Sequence, residues 1–248
     1  MDPLSTYGMV LVGLAFLIAS GVYASVGHGG ASAYLAMMGL VGMAPQEMRP
    51  IALVLNIGVS WMALISFFRA GHFDSRLFLP LAAASVPAAF IGGLLESPEP
   101  LFKGILAVAL LLAAWRLVFV SETDGAAISK PLLISLILLG GIIGFLSGLV
   151  GIGGGIFLTP LLILFRWSPA KQAAAISAAF ILVNSCAGIT GFVAKGGDIS
   201  PTALVLLPIV LCGGWLGSHW GSRMARVRAL RFSLASVLIV AAAKFVII

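Results

Sequence analysis

Two glycine clusters, Gly27-His28-Gly29-Gly30 and Gly151-Ile152-Gly153-Gly154-Gly155, are the parts of this chain whose composition could do chemistry. Each separates a long apolar stretch from a short one, at 31–43 and 155–165. A helix that begins after such a break presents unpaired N–H groups and roughly half a positive charge at its N-terminus. Glycine lets the chain turn there and lets a ligand come close to the backbone. Two ends of this kind, brought together, predict an anion site. Every lysine and arginine is read at a span end or in a loop, so neutral donors are expected to complete it. The candidates in the first half are Ser25, Ser32, Asn56 and Ser60, and in the second Ser147, Ser177, Asn184 and Ser185. An amide inside a membrane span is costly unless bonded, so Asn56 and Asn184 are either ligands or links between helices. The binding set predicted from the sequence is Gly27, His28, Gly29, Gly30, Ser32, Asn56 and Ser60, with Gly151, Gly153, Gly154, Gly155, Ser177 and Asn184. His28 is the titratable member: protonated it would add charge and couple a proton to the anion, neutral it would only bond a nearby carbonyl.

Other chemistries find little support. An enzyme at membrane depth would need paired carboxylates, a histidine pair for a metal or an activated nucleophile, and the spans hold none of these. Gly151 to Gly155 is not a dinucleotide loop, because it follows apolar helix and lacks an acidic residue at the ribose distance. Cys186 and Cys212 both fall in apolar spans, which fits neither a disulfide framework nor a metal set. The net charge of +6 is concentrated at Arg223, Arg226, Arg228 and Arg231. A positive-inside bias explains that cluster better than nucleic acid does.

The elements that must position the glycine clusters are membrane helices. Of the 248 residues, 61% are hydrophobic and 9% charged, against about 25% charged in soluble domains. Long uncharged stretches lie at 8–24, 51–68, 77–95, 101–120, 132–150, 172–194, 202–220 and 229–248. Each is close to the roughly 20 residues that cross a bilayer as helix, whereas the two short pieces cover about half of it. The expected fold is therefore all-α and integral to the membrane, a single transmembrane domain over 1–248. The stretch at 8–24 is read as structure and not as a cleaved leader, since Asp2 precedes it without a basic region.

Displacing the chain by half its length superimposes the two glycine clusters, Pro45 on Pro169 and Asp74 on Asp198. This predicts two homologous four-span repeats, 8–120 and 132–248, each with a half-helix after its break. If the half-helices turn back as re-entrant segments the repeats are inverted; if they complete a broken crossing the repeats are parallel. Inversion puts Arg69, Arg76, Arg116, Lys130, Arg166, Lys171 and the Arg223 to Arg231 cluster in the cytoplasm. It leaves Arg49, Lys103, Lys195 and Lys244 outside, with both termini, and positive-inside bias favours it. The Gly140, Gly144, Gly148 and Gly213, Gly217, Gly221 series recur every four residues and predict flat faces for close helix packing.

At these residues the chain resembles the sulfite exporter TauE/SafE family, also called the four-transmembrane-repeat sulfite exporter family. The resemblance covers nearly the whole chain and rests on its size, the two four-span units and the Gly-rich patch in the first span of each, with Gly151 to Gly155 leading to Pro160. The first copy departs from a plain glycine run at His28 and Ala31. The resemblance implies a secondary transporter of a small sulfur-containing anion, such as sulfite, thiosulfate or an organosulfonate like sulfoacetate, in a bacterial inner membrane. An anion channel of the same architecture and a carrier of a non-sulfur organic anion are the competing readings. The implied partners are that anion, the lipid bilayer and, through His28, a proton, with a homo-oligomer left open; no cofactor, metal or nucleic acid is called for.

Overall fold

Prolines and glycines cut the apolar chain into its elements. In a computed structural model, which describes residues 6–96, 98–119 and 129–223 together with Ile239, Ala242 and Ala243, these cuts separate nine helices, and no strand is found among the described residues. They are α1 (Thr6–Ala24), α2 (Ala31–Leu40), α3 (Pro45–Arg69), α4 (Ser75–Leu94), α5 (Glu99–Phe119), α6 (Leu133–Val150), α7 (Gly155–Leu164), α8 (Ala170–Ala194) and α9 (Pro201–Arg223). Pro45 opens α3 and Pro201 opens α9, where the missing N–H costs nothing. Asp74 caps α4 by accepting from the Arg76 N–H. Among the described residues α3, α4, α6, α8 and α9 are long and apolar enough to cross a membrane, which makes this a multi-pass membrane protein. All of the span expected at 229–248 except Ile239, Ala242 and Ala243, and with it Arg226, Arg228, Arg231 and Lys244, lies outside the described residues.

The helix boundaries follow the sequence reading except at α3. The helix begins at Pro45, not near Ile51, and so draws Glu47 and Arg49 into the membrane domain. Arg49, read as a span-end residue, is the fifth residue of α3 and is 5% exposed.

Small residues set how the helices pack. Gly140, Gly144 and Gly148 of α6 lie against the backbone of Leu81, Ser85 and Ala89 of α4, in that order, so α4 and α6 run the same way. Gly213, Gly217 and Gly221 of α9 lie in the same manner along Leu17, Gly21 and Ser25, so α1 and α9 are also parallel. Gly58 beside Leu207 and Leu211, and the Ser66 and Ser218 hydroxyls at 3.0 Å, align α3 with α9. Gln172 bonded to Asp74 at one end, and Gly93 against Gly188 and Gly191 at the other, align α4 with α8. Leu53 by Gly188 and Phe67 by Ala174 and Ala175 place α3 antiparallel to α8. Thus α1, α3 and α9 point one way and α4, α6 and α8 the other. The packing pairs exchange with each other when α1 to α4 are swapped for α6 to α9: α1 with α9 becomes α6 with α4, and α3 with α9 becomes α8 with α4.

Adjacent glycines of α6 offer a test of these faces. A methyl at Gly140 would strike the Leu81 carbonyl, whereas nothing lies within 4 Å of one at Gly141. Gly140→Ala is expected to lower stability by about 1–3 kcal/mol, since a backbone carbonyl has no rotamer to escape into. Gly141→Ala should be neutral or stabilising by up to about 1 kcal/mol from helix propensity. Thermal unfolding in detergent compares the two. The outer faces are apolar: Leu132, Leu133, Leu138 and Ile142 remain more than half exposed, as lipid contact requires.

Candidate functional site

The two glycine breaks meet at the centre of the helix bundle. After α1 the chain turns through Gly27 (φ 75) and Gly30 (φ 93), and α2 starts at Ala31. After α6 it turns through Gly151 (φ 86), Gly153 (φ 80) and Gly154 (φ 81) before α7 starts at Gly155. Two consecutive left-handed residues, Gly153 and Gly154, are a conformation that side chains strongly disfavour, so glycine is required there. Both breaks lie beside the middle of α3: Gly29 packs on the Asn56 side chain, and Gly153 faces Asn56, Ile181 and Ser185. Gly27 rests on the backbone of Ala174 and Gly151 on that of Arg49, each five residues into its 25-residue helix.

Asn56 joins the breaks. Its Oδ1 accepts from the Ala31 N–H, the first amide of α2, at 3.1 Å, and its Nδ2 donates to the Ile152 carbonyl at 3.2 Å. Asn56 is therefore an inter-helix link. His28 makes a second crossing: Nδ1 lies 2.9 Å from the Val26 carbonyl and Nε2 3.0 Å from that of Gly155. A neutral imidazole has one N–H and donates to only one of these carbonyls, whereas an imidazolium donates to both. Thr159 closes the network, with its hydroxyl against the Gly155 carbonyl at 3.1 Å, His28 Nε2 at 3.3 Å and the Ser177 hydroxyl.

The breaks are not equivalent. At the first, Asn56 already satisfies the leading amide of α2, while Ser32 donates to the Tyr23 hydroxyl at 3.0 Å and Ser60 to the Asn56 carbonyl of its own helix. The N–H groups of Ser32 and Ala33 have no acceptor among the described residues. At the second, the Phe157 and Leu158 N–H groups return to the Gly154 carbonyl, but those of Gly155 and Ile156 have no acceptor among the described residues. The adjoining α8 carries Ser177, Ile181, Asn184 and Ser185 along one face. Ser177 and Ile181 touch the position of Gly155, and Ile181 and Ser185 that of Gly153. Both amide atoms of Asn184 and the Ser185 hydroxyl are fully buried without a hydrogen-bond partner, and so is the hydroxyl of Ser147, one turn before the break. Buried polar atoms are rarely left so, and where several converge beside open N–H groups a polar ligand is the natural complement.

The sequence reading left two residues out. Thr159 is the polar residue in the first turns of an otherwise apolar α7, a signal that was present. Arg49 was set aside as a span-end residue, yet its Nη1 donates to Leu95 O at 3.0 Å and its Nη2 to Gly92 O and Gly93 O, each at 2.8 Å. A guanidinium among the last carbonyls of a helix is favourable to that helix's dipole.

Against known proteins, the model of the family described as Sulfite exporter TauE/SafE matches residues 12–245. A probable membrane transporter protein of Sinorhizobium fredii is 33% identical over 235 residues, covering 93% of this chain and 95% of that one. One of Methanocaldococcus jannaschii is 36% identical over 111 residues, 41% of each chain. Another, of Bacillus subtilis, is 35% identical over 85 residues, 34% of this chain and 30% of that one. No solved structure matches.

Proposed function

The chain belongs to the sulfite exporter TauE/SafE family, a family of membrane transporters and not of enzymes, and from that premise we propose that it is a secondary transporter of a small sulfur-containing anion in a bacterial inner membrane. Sulfite, thiosulfate and organosulfonates such as sulfoacetate are the substrate class. The anion sits at the start of α7. One observation carries this: the N–H groups of Gly155 and Ile156 have no acceptor among the described residues, and the helix α8 that packs on this break through Ser177, Ile181 and Ser185 carries the unpartnered polar groups of Asn184 and Ser185. Neutral donors at a helix N-terminus hold negative charge without a bound counter-cation, which lets the anion leave again. The site residues are buried, as in the occluded state of a carrier; an open pore would line them with water.

The two halves are read as inverted copies. Opposed directions for α1 and α6, and packing pairs that exchange with one another, support that reading. Such repeats carry a site at their interface that is exposed to each side in turn. Purified chain in proteoliposomes is expected to take up sulfite or thiosulfate with saturation, and flux that rises linearly with concentration would instead indicate a channel.

His28 gives this carrier a proton-sensitive element. Losing its second N–H gives up the bond to either the Val26 or the Gly155 carbonyl, and the latter, which the Thr159 hydroxyl also reaches, belongs to the first residue of α7. Uptake is therefore expected to depend on pH through His28. His28→Gln keeps one donor and does not titrate, so its profile should be flat. An unchanged profile would remove His28 from the coupling step.

A further inference from the structure

Beside the second break, the start of α3, the ends of α4, α6 and α8 and Phe102 of α5 line a cavity of about 120 Å³. Gln46, Arg49, Glu96, Leu149, Phe192 and Lys195 are among the residues that line it. Its charge is uneven. Arg49 is buried and its Nε has no hydrogen-bond partner, while the rest of its guanidinium is held by carbonyls at the end of α4. Lys195 Nζ lies 3.6 Å from Glu96, whose side chain is 89% exposed. Both cations bear on one ring, Arg49 at 5.6 Å and Lys195 at 5.4 Å from the centroid of Phe192. Two cations against one carboxylate leave the cavity net positive, and both cations lie over a single aromatic ring.

We propose that this cavity is a second anion site, an antechamber in which Arg49 and Lys195 hold a small oxyanion or sulfonate before it passes to the break at Gly151. The inference rests on the transport reading. Continuity comes from Arg49 itself: its guanidinium lines the cavity, and its Cγ and carbonyl lie 3.1 Å from where a side chain on Gly151 would start. The antechamber opens on the face that the positive-inside bias places outside the cell. An incoming anion competes with Glu96 for Lys195. Glu96 is thus a selectivity element, weakening binding until an anion of sufficient charge displaces it.

Arg49 also caps α4, so the test uses the two exchangeable partners. The purified full chain is titrated calorimetrically with thiosulfate, and uptake is followed in proteoliposomes. Lys195→Gln is expected to weaken binding and raise KM about tenfold, the weight of one charge-assisted contact, with Vmax unchanged. Glu96→Gln should tighten binding. Asn184→Leu should stop uptake yet leave the Lys195-dependent binding in place. Saturable uptake whose KM ignores both Lys195→Gln and Glu96→Gln would overturn the antechamber and leave the transport reading standing. Binding that responds to both, in a chain that moves none of the anions, would overturn the transport reading and keep the cavity as a binding site.

Discussion

Gly153→Ala should abolish uptake, by about a hundredfold or more, while Gly42→Ala leaves it intact; misplacing a site by about 1 Å is enough for a loss of that size. The comparison separates strain from occupancy. Both glycines are left-handed, at φ 80 and φ 79, so alanine costs each about 1–2 kcal/mol in backbone conformation. They differ in what a methyl would meet. At Gly42 there is nothing within 4 Å. At Gly153 it would come to 2.6 Å from Asn56 Nδ2, 2.8 Å from Ile181 Cγ2 and 3.3 Å from Ser185 Oγ. It therefore pushes on the side chain that ties the two breaks together and on one of the unpartnered donors. Initial rates of sulfite uptake, normalised to protein that elutes as a single folded species, provide the measurement. Equal rates in the two variants would mean that the second break is a turn and nothing more.

How far such a site is legible in a sequence depends on the range of the interactions that make it. The glycine breaks and the half-helices were readable, because a conformational requirement at Gly153 and an apolar run too short to span are local properties. The packing glycines were readable from their period of four, which places them on one side of a helix whatever lies opposite. The fate of the two asparagines was not. Asn56 and Asn184 each sit in a long apolar helix with serine four residues away or adjacent, and nothing nearby in the chain tells them apart. What distinguishes them is contact across the fold: Asn56 bonds Ile152 and Ala31, whereas the Asn184 amide has no hydrogen-bond partner among the described residues. Arg49 shows the same limit from the other side. A basic residue near a span end normally reaches water, and only the arrival of the α4 carbonyls makes burial tolerable.

That difference between the asparagines yields a pair of substitutions whose effects on stability have opposite signs. Asn56→Leu strands the Ala31 N–H and the Ile152 carbonyl in a buried setting, and each orphan costs about 1–3 kcal/mol, so the variant should melt well below the parent. Asn184→Leu removes two buried atoms that have no partner, so the same principle predicts stabilisation, on the order of 1 kcal/mol or more. Uptake should nevertheless be lost in both. A residue whose removal strengthens the fold and ends transport contributes nothing to packing that function could depend on, and its amide must serve the anion. The decisive measurements are the melting temperature and the uptake rate of Asn184→Leu on the same preparation. A higher melting temperature with normal uptake would leave Asn184 a mere imperfection of the interior. A lower one would show that the amide has a partner in the working protein. Adding thiosulfate should raise the melting temperature of the parent and not of this variant, because a ligand stabilises only the folded state that binds it.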